Sequence, residues 1–249
     1  EHGHEVRVFD ANVYKIGVEA MIPAVMEFGP DVILCTLSTY AFNDTTKYIG
    51  RIREACRCPV IAGGINVRLY PAETLENQAI DHAGTKGLPS LLEALENGDD
   101  PAGLPEVATR DANGDVALGD IDLKRNAFVD LPKPARHLID NRKYNSFISQ
   151  RRNFTVMMPS AGCPFSCSYC AIASLPRYEN PVERVLDEIR ECYDRFGVRE
   201  IDFFDADFFA HRSRSRKIIE GIIGLDLDIE WSCRARIDIL DEEILQLAK

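Results

Sequence analysis

Phe154-Thr155-Val156-Met157-Met158, then Pro159-Ser160-Ala161, then Gly162-Cys163-Pro164-Phe165-Ser166-Cys167-Ser168-Tyr169-Cys170: a short apolar run passes into a loop that carries three cysteines within eight residues. The run has the length and composition of a buried strand. Beyond the loop the spacing predicts a helix from Pro181 to Phe196. Asn180 is placed to cap it, Pro181 suits its first turn, Glu183 holds the capping-box position, and Val182, Val185, Ile189, Cys192 and Phe196 share one stripe. A strand from Glu200 to Phe204, a helix around Ile218 to Ile223, a strand from Ile229 to Cys233 and a helix from Asp241 onward follow. Residues 154–249 therefore read as about three βα units on ordinary element lengths. The cysteines fall at the C-terminal end of the first strand, the edge over which the loops of a βα barrel converge. Since the chain ends at Lys249 inside a periodic helix, the barrel is expected to be incomplete.

Residues 1–98 alternate in the same way. Val6 to Phe9 reads as a short strand, and Met21, Ile22, Val25 and Met26 recur at helical spacing before Gly29-Pro30. Val32 to Leu37 is a continuous apolar run, as expected for a parallel strand covered on both faces. Tyr48, Ile49, Ile52 and Ala55 give the next helix an inner stripe. Val60-Ile61-Ala62 leads into Gly63-Gly64, a helix lies near Pro71 to Asn77, a short strand ends near Asp81, and Leu88 to Leu95 forms a helix closed by Asn97-Gly98. This alternation predicts a doubly wound α/β domain, Rossmann-like in its layers, and the absence of an initiating Met suggests that its first strand is missing. Residues 99–153, marked by Pro101, Pro105, Pro132 and Pro134, read as a connection. It would contain a hairpin turning at Asn113-Gly114 between Glu106-Val107-Ala108 and Val116-Ala117-Leu118.

Composition narrows the function classes. With 249 residues, 45% of them apolar, the chain has enough material for proper cores. The net charge of −11 arises from interleaved acids and bases, so there is no broad basic footprint for nucleic acid. No apolar run approaches the ~20 residues of a membrane span. The start at Glu1 has neither the charged nor the apolar region of a secretory signal. These features, with thiols spaced for metal rather than for disulfides, predict a reducing, cytoplasmic setting.

Three cysteines in one loop point to a particular chemistry. Iron–sulfur clusters are usually held by four cysteines, one per iron, so three leave one iron open. An open position distinguishes a catalytic metal from a sealed structural one. The competing readings are a zinc site, or a closed cluster completed by distant Cys192 or Cys233, in an electron carrier or a metal-stabilised binding module. Structural zinc ordinarily pairs two two-cysteine knuckles instead. Cys192 also falls on its helix's apolar stripe, where free cysteine commonly packs, and packing likewise accounts for Cys56 and Cys58.

Cys-x3-Cys-x2-Cys with Tyr169 before the last cysteine resembles the defining motif of the radical S-adenosylmethionine (SAM) superfamily. The resemblance implies a partial (βα)6 barrel in which Cys163, Cys167 and Cys170 hold a 4Fe-4S cluster. SAM would bind the open iron and be cleaved reductively to a 5'-deoxyadenosyl radical, with electrons from a donor such as a flavodoxin or ferredoxin. It also implies that Tyr169 lies beside SAM and that Asp205 or Asp207, in Phe204-Asp205-Ala206-Asp207, holds the amino group of SAM. Ala206 stands where a second acid is usual. Trp231-Ser232-Cys233-Arg234-Ala235-Arg236 is similar to the family's third strand, where a bidentate arginine approaches the cofactor. Strand alternation leaves Arg234 and Arg236 on one face and does not choose between them. Solvated acids and a plain ion pair are the bland readings of these positions. The basic stretch His211 to Lys217 reads as a solvated helix start.

An α/β domain, a proline-marked connection with Leu131-Pro132 and Ala135-Arg136, and then the cysteine strand together resemble the cobalamin-binding radical SAM subfamily. That resemblance implies cobalamin at the C-terminal strand edge, near Ser38, Thr39, Gly63, Gly64 and Gly84. Glycines there would allow close backbone approach. No Asp-x-His-x-x-Gly motif supplies a lower axial ligand, the usual glycine-rich turn reads His82-Ala83-Gly84-Thr85, and Asn66 replaces a common histidine. His82 would be the alternative ligand, a simple hydrogen-bonded histidine the plainer reading. The implied reaction is methyl transfer to an unactivated carbon, or radical oxidation or cyclisation, of a small-molecule substrate. A cluster enzyme without cobalamin, its first domain a scaffold, is the alternative. No residue is singled out as catalytic beyond the cofactor contacts.

Overall fold

In the computed structural model, which describes residues 3–84, 86–111, 113–120, 131–173 and 175–249, the apolar runs of the first part become β1 (Ile33–Thr36), β2 (Val60–Gly63) and β3 (His82–Gly84), all parallel. Leu34 pairs with Ile61, and Ile61 with His82. Before β1 come α1 (Ala11–Tyr14) and α2 (Val18–Phe28); the segments between the strands form α3 (Phe42–Cys56), α4 (Ile65–Leu69) and α5 (Pro71–Glu76), and α6 (Leu88–Asn97) follows β3. Alternation along the strands sorts the core onto two faces. Cys35, Ala62, Ala83 and Ala108 pack with Phe42, Val67 and Leu75, while Ile61 and Val107 pack with Leu88, Leu91, Leu92 and Leu95. Helices thus cover both faces, as a doubly wound sheet requires. Each fully buried leucine or isoleucine contributes about 1.5–3 kcal/mol.

Several expectations change here. Val6 to Phe9 forms no strand; Phe9 instead meets Phe28 edge to face at 6.4 Å, an aromatic packing that needs no ladder. β1 is the edge strand, and its Leu34 is half exposed because α6 is the helix packed on that face and it lies over β2 and β4. Tyr48 faces solvent, and Thr46 and Ile52 form the buried side of α3. β3 begins after Asp81 instead of ending there. The hairpin of β4 (Val107–Arg110) and β5 (Val116–Leu118) is no mere connection. It extends the first sheet, β4 running antiparallel to β3 with Ala83 opposite Ala108.

The chain divides into two compact units, Phe9–Ala127 and, together with Glu1–Val8, Phe128–Lys249. In the second, β6 (Phe154–Met157), β7 (Ser160–Ala161), β8 (Tyr178–Glu179), α7 (Val182–Phe196), β9 (Glu200–Phe203), α8 (Arg212–Leu225), β10 (Glu230–Cys233) and α9 (Glu242–Ala248) follow in order. The main sheet is parallel in the order β10-β9-β6, the three consecutive βα units expected of a barrel's first half. Ile201 and Phe203 of β9 enter a core with Ile189, Cys192, Ile218 and Ile219. Glu200 and Asp202 alternate onto the other face, buried and bonded. Glu200 Oε2 accepts from the amides of Gln150 and Arg151, each at 2.7 Å.

Two corrections apply to this unit. Pro181, extended at ψ 144°, precedes α7 as its cap residue without a side-chain bond. Asn180 is occupied elsewhere, its amide donating to the Met158 carbonyl at 3.3 Å. The end of the supposed connection is also part of the core. Buried Arg136 donates to Glu188 Oε1 at 2.7 Å and to the Val156 carbonyl at 3.0 Å, which anchors residues before β6 to α7 and β6. Among the described residues, no helix is long and apolar enough to cross a membrane.

Candidate functional site

The cysteine loop leaves the C-terminal end of β6 and is closed at its base by the β7–β8 ladder, Ser160 opposite Glu179 and Ala161 opposite Tyr178. Gly162 makes the closure possible. Its φ is +79°, and a Cβ there would fall 2.1 Å from the Pro176 carbonyl oxygen, so any side chain would combine left-handed strain with backbone overlap. Cys163 N donates to the Leu175 carbonyl at 3.3 Å, and Cys170 N to that of Cys167 at 3.1 Å. All three thiols are half-buried. Among the described residues, no three His, Cys, Asp or Glu side chains converge as a single-ion site; a cubane instead takes one thiolate on each of three irons.

The remaining thiols of this unit lie in or against the hydrophobic core. Cys192 is wholly buried in the helix-facing core and Cys233 packs against the same core. Burial pushes their pKa values up to about 11 and about 12, so they rest as thiols in the core.

Asp205 follows β9 and is fully buried, its Oδ1 accepting from Ser160 N at 2.7 Å. Burial pushes its pKa up to about 6, opposed by the hydrogen bond from Ser160 N and by the charges of Arg177 and Arg214. Asp205 Oδ2, Ser160 Oγ, Arg177 Nη2 and Arg214 Nη1 are buried polar atoms with no partner. Such a group of atoms is suited to receiving a polar ligand. Asp207 is also buried, but its carboxylate is used: Oδ1 accepts from Phe209 N at 3.0 Å and Oδ2 from Arg236 N at 3.2 Å. Tyr169 is 91% exposed.

The two arginines after β10 separate because the strand ends at Cys233, so alternation no longer governs them. Arg234 forms a bidentate pair with buried Asp202, at 2.5 and 2.9 Å, and lies over the Phe204 ring. That is the structural ion pair of the bland reading. Arg236 turns to the loop, with Nη1 3.7 Å from Cys167 Sγ. The basic stretch is likewise not all solvated. Buried Arg214 donates to the carbonyls of Pro159, at 3.1 Å, and Asn180, at 2.7 Å, beside the loop's base. Sequence reading missed Ser160, Phe165, Arg177 and Arg214, since only the β7–β8 pairing brings the first and third together; Phe165 had a signal in lying between two cysteines.

In the first unit, Ser38, Thr39, Gly63, Gly64 and Gly84 follow β1, β2 and β3 and share the sheet's C-terminal edge. Ser38 is half-buried and Thr39 exposed. Gly64 has φ +98°, and a Cβ on it would lie 2.6 Å from the Leu37 carbonyl oxygen, so the chain itself demands glycine there. Gly63 and Gly84 are neighbours across the sheet, with room for a Cβ at 3.6 and 3.7 Å. His82 opens β3 at the opposite edge, its Nδ1 2.7 Å from Thr109 Oγ1, which fits the hydrogen-bonded reading and places it away from the glycines. Burial lowers its pKa, opposed by Asp81. A cavity of about 820 Å³ lies at this far edge, lined by Arg53, Asp81, His82 and Arg110 among others. Thr85, the last residue of the expected turn, lies outside the described residues.

A family model described as B12 binding domain matches residues 1–92. A structure of the radical SAM methyltransferase TsrM from Kitasatospora setae, with tryptophan substrate and a SAM analogue, is similar with a TM-score of 0.73 at 18% identity, over 98% of this chain and 51% of that one. The fold is therefore that of cobalamin-type radical SAM enzymes. Among curated proteins, an uncharacterised methyltransferase, PH0819, of Pyrococcus horikoshii is 26% identical over 99% of this chain and 55% of its own length. The anaerobic magnesium-protoporphyrin IX monomethyl ester cyclase of Rubrivivax gelatinosus is 24% identical over 98% of this chain and 46% of its own. The chain spans about half the length of these relatives.

Proposed function

We propose that this chain is the cofactor-binding part of a cobalamin-dependent radical SAM enzyme. Its reaction on a small molecule is methyl transfer to an unactivated carbon, or radical oxidation or cyclisation; the names of its relatives include methyltransferases and a cyclase. The observation that carries the reading is the loop with three thiols at the C-terminal end of β6, while the unit's other two thiols pack into the core. In this reading Cys163, Cys167 and Cys170 hold a 4Fe-4S cluster, residues 154–249 are the barrel segment, and the first unit with its hairpin is the cobalamin domain. When bound, the cluster supplies the electron that cleaves SAM, and cobalamin supplies a methyl carrier.

The chain's own residues fit these groups. The unpartnered Asp205 Oδ2 and Ser160 Oγ offer acceptors for an ammonium group, with Arg177 and Arg214 close by for a carboxylate. Asp207 shapes the backbone, and of the two arginines Arg236 is the one turned towards the cysteines. The small residues Ser38, Thr39, Gly63, Gly64 and Gly84 leave an edge that a flat, bulky cofactor can approach. A flavodoxin or ferredoxin is the electron donor that suits a low-potential cluster.

The test is anaerobic reconstitution of the full-length protein followed by electron paramagnetic resonance of the reduced sample. A 4Fe-4S signal that changes on adding SAM and is lost in Cys167→Ala is expected. A cluster signal indifferent to SAM would overturn the open-iron reading, and failure to retain cobalamin on the same protein would favour the enzyme without it.

A further inference from the structure

Arg236 is held on three sides. Its backbone amide donates to Asp207 Oδ2 at 3.2 Å, and Asp207 is itself buried and fixed by Phe209 N. Its guanidinium is gripped by Asp238, Nε to Oδ1 at 3.0 Å and Nη2 to Oδ2 at 2.6 Å. The plane lies over the ring of Phe165, centroid 4.2 Å away, and Phe165 is part of the cysteine loop. These contacts leave Nη1 as the free arm of the fork, 3.7 Å from Cys167 Sγ. Arg234, two residues earlier, is committed to Asp202, and among the described residues no other cation has a recorded contact with a cysteine of the triplet.

We propose that Arg236 is a positioning residue whose Nη1 donates a charge-assisted hydrogen bond to the Cys167 sulfur, and that this bond sets the reduction potential of the cluster the three cysteines hold. The inference rests on the cluster reading above. A hydrogen bond to a ligand sulfur is one of the levers by which a protein moves a cluster's potential, and charge assistance roughly doubles the strength of such a bond. Reduction adds one electron from an external reductant to the cluster, with no proton or bond exchanged with the protein. The added negative charge is stabilised by a cationic donor at the sulfur. Arg236 therefore raises the potential, and Asp238, which partly neutralises it, opposes that effect.

The experiment is a potentiometric titration of the reconstituted full-length protein, followed by electron paramagnetic resonance with dithionite or titanium(III) as reductant. It is run on the wild type, Arg236→Gln, Arg236→Lys and Asp238→Asn, with iron and sulfide measured for each. Arg236→Gln should move the midpoint to more negative values, Arg236→Lys less far in the same direction, and Asp238→Asn to more positive values, all at unchanged iron content. An unchanged midpoint in Arg236→Gln, or a shift of the same sign in Arg236→Gln and Asp238→Asn, would overturn the inference. So would loss of the cluster from all three variants, which would make Arg236 a prop for the loop. Absence of a cluster from the wild type itself would instead overturn the cluster reading.

Discussion

The parallel strands of the two sheets present their C-terminal edges in opposite ways. After β1, β2 and β3 the edge is Ser38, Thr39, Gly63, Gly64 and Gly84, nearly all backbone, so whatever binds there is met by shape. After β6, β9 and β10 the edge is thiols, a buried acid and arginines, with several buried polar atoms left without a partner. Under the proposed function one architecture would serve two kinds of recognition, and they should fail differently when broken.

Glycine gives the widest separation. Gly162→Ala would set a Cβ against the Pro176 carbonyl and Gly64→Ala against the Leu37 carbonyl, both at positive φ, where a side chain alone costs about 1–2 kcal/mol. Gly162→Ala should abolish cluster incorporation, read as iron per chain, while cobalamin retention stays near wild type. Gly64→Ala should do the reverse. Equal loss of both cofactors from either variant would show that the two edges are not independent.

The next effect is on stability. Arg136→Ala leaves Glu188 buried without its partner, a change that typically costs about 3–5 kcal/mol, while an exposed pair such as Arg51–Glu19 contributes at most about 1 kcal/mol. Urea unfolding should show the large loss for Arg136→Ala and almost none for Arg51→Ala. A loss below about 1 kcal/mol for Arg136→Ala would mean that the start of the second unit is only loosely fixed.

These contrasts also explain what was legible in the sequence. The parallel strands and most helices announced themselves through apolar periodicity, and the cysteine loop through spacing. Residues whose role depends on a distant partner did not. Arg136 read as part of a connection because Glu188 lies 52 positions away, and Arg214 read as solvated because the carbonyls it meets belong to the loop's base. The β4–β5 hairpin was recognised as a hairpin, but nothing local says that its first strand pairs with β3. Arg234 and Arg236 could not be told apart until β10 was seen to end at Cys233.

Asp205 gives a smaller effect with a definite sign. Its pKa is raised from 3.8 to about 6, so the folded state favours the protonated acid. The stabilising contribution is complete below about pH 4 and lost as pH rises through 6, on the order of 3 kcal/mol at most. Asp205→Asn removes this dependence while keeping an acceptor for Ser160 N. Its stability relative to wild type should therefore rise between pH 4 and pH 7 in denaturant titrations. A pH-independent difference would mean that Arg177 and Arg214 fully offset the burial.

The smallest effect is at His82. Its bond to Thr109 joins β3 to the antiparallel β4, at the edge opposite the glycines. A single buried hydrogen bond contributes about 1 kcal/mol. His82→Ala should lower the stability of the first unit by about that amount and leave cobalamin retention unchanged, measured by absorbance after gel filtration of the reconstituted protein. If His82 were instead a ligand to the cofactor, retention would drop and the visible spectrum of bound cobalamin would change with it. His82 and Gly84 stand at opposite ends of β3, so a cofactor held at the glycine edge would be approached by Gly84 and not by His82. The parallel register with β2, Ile61 opposite His82 and Ala62 opposite Ala83, holds the two residues at those separate ends.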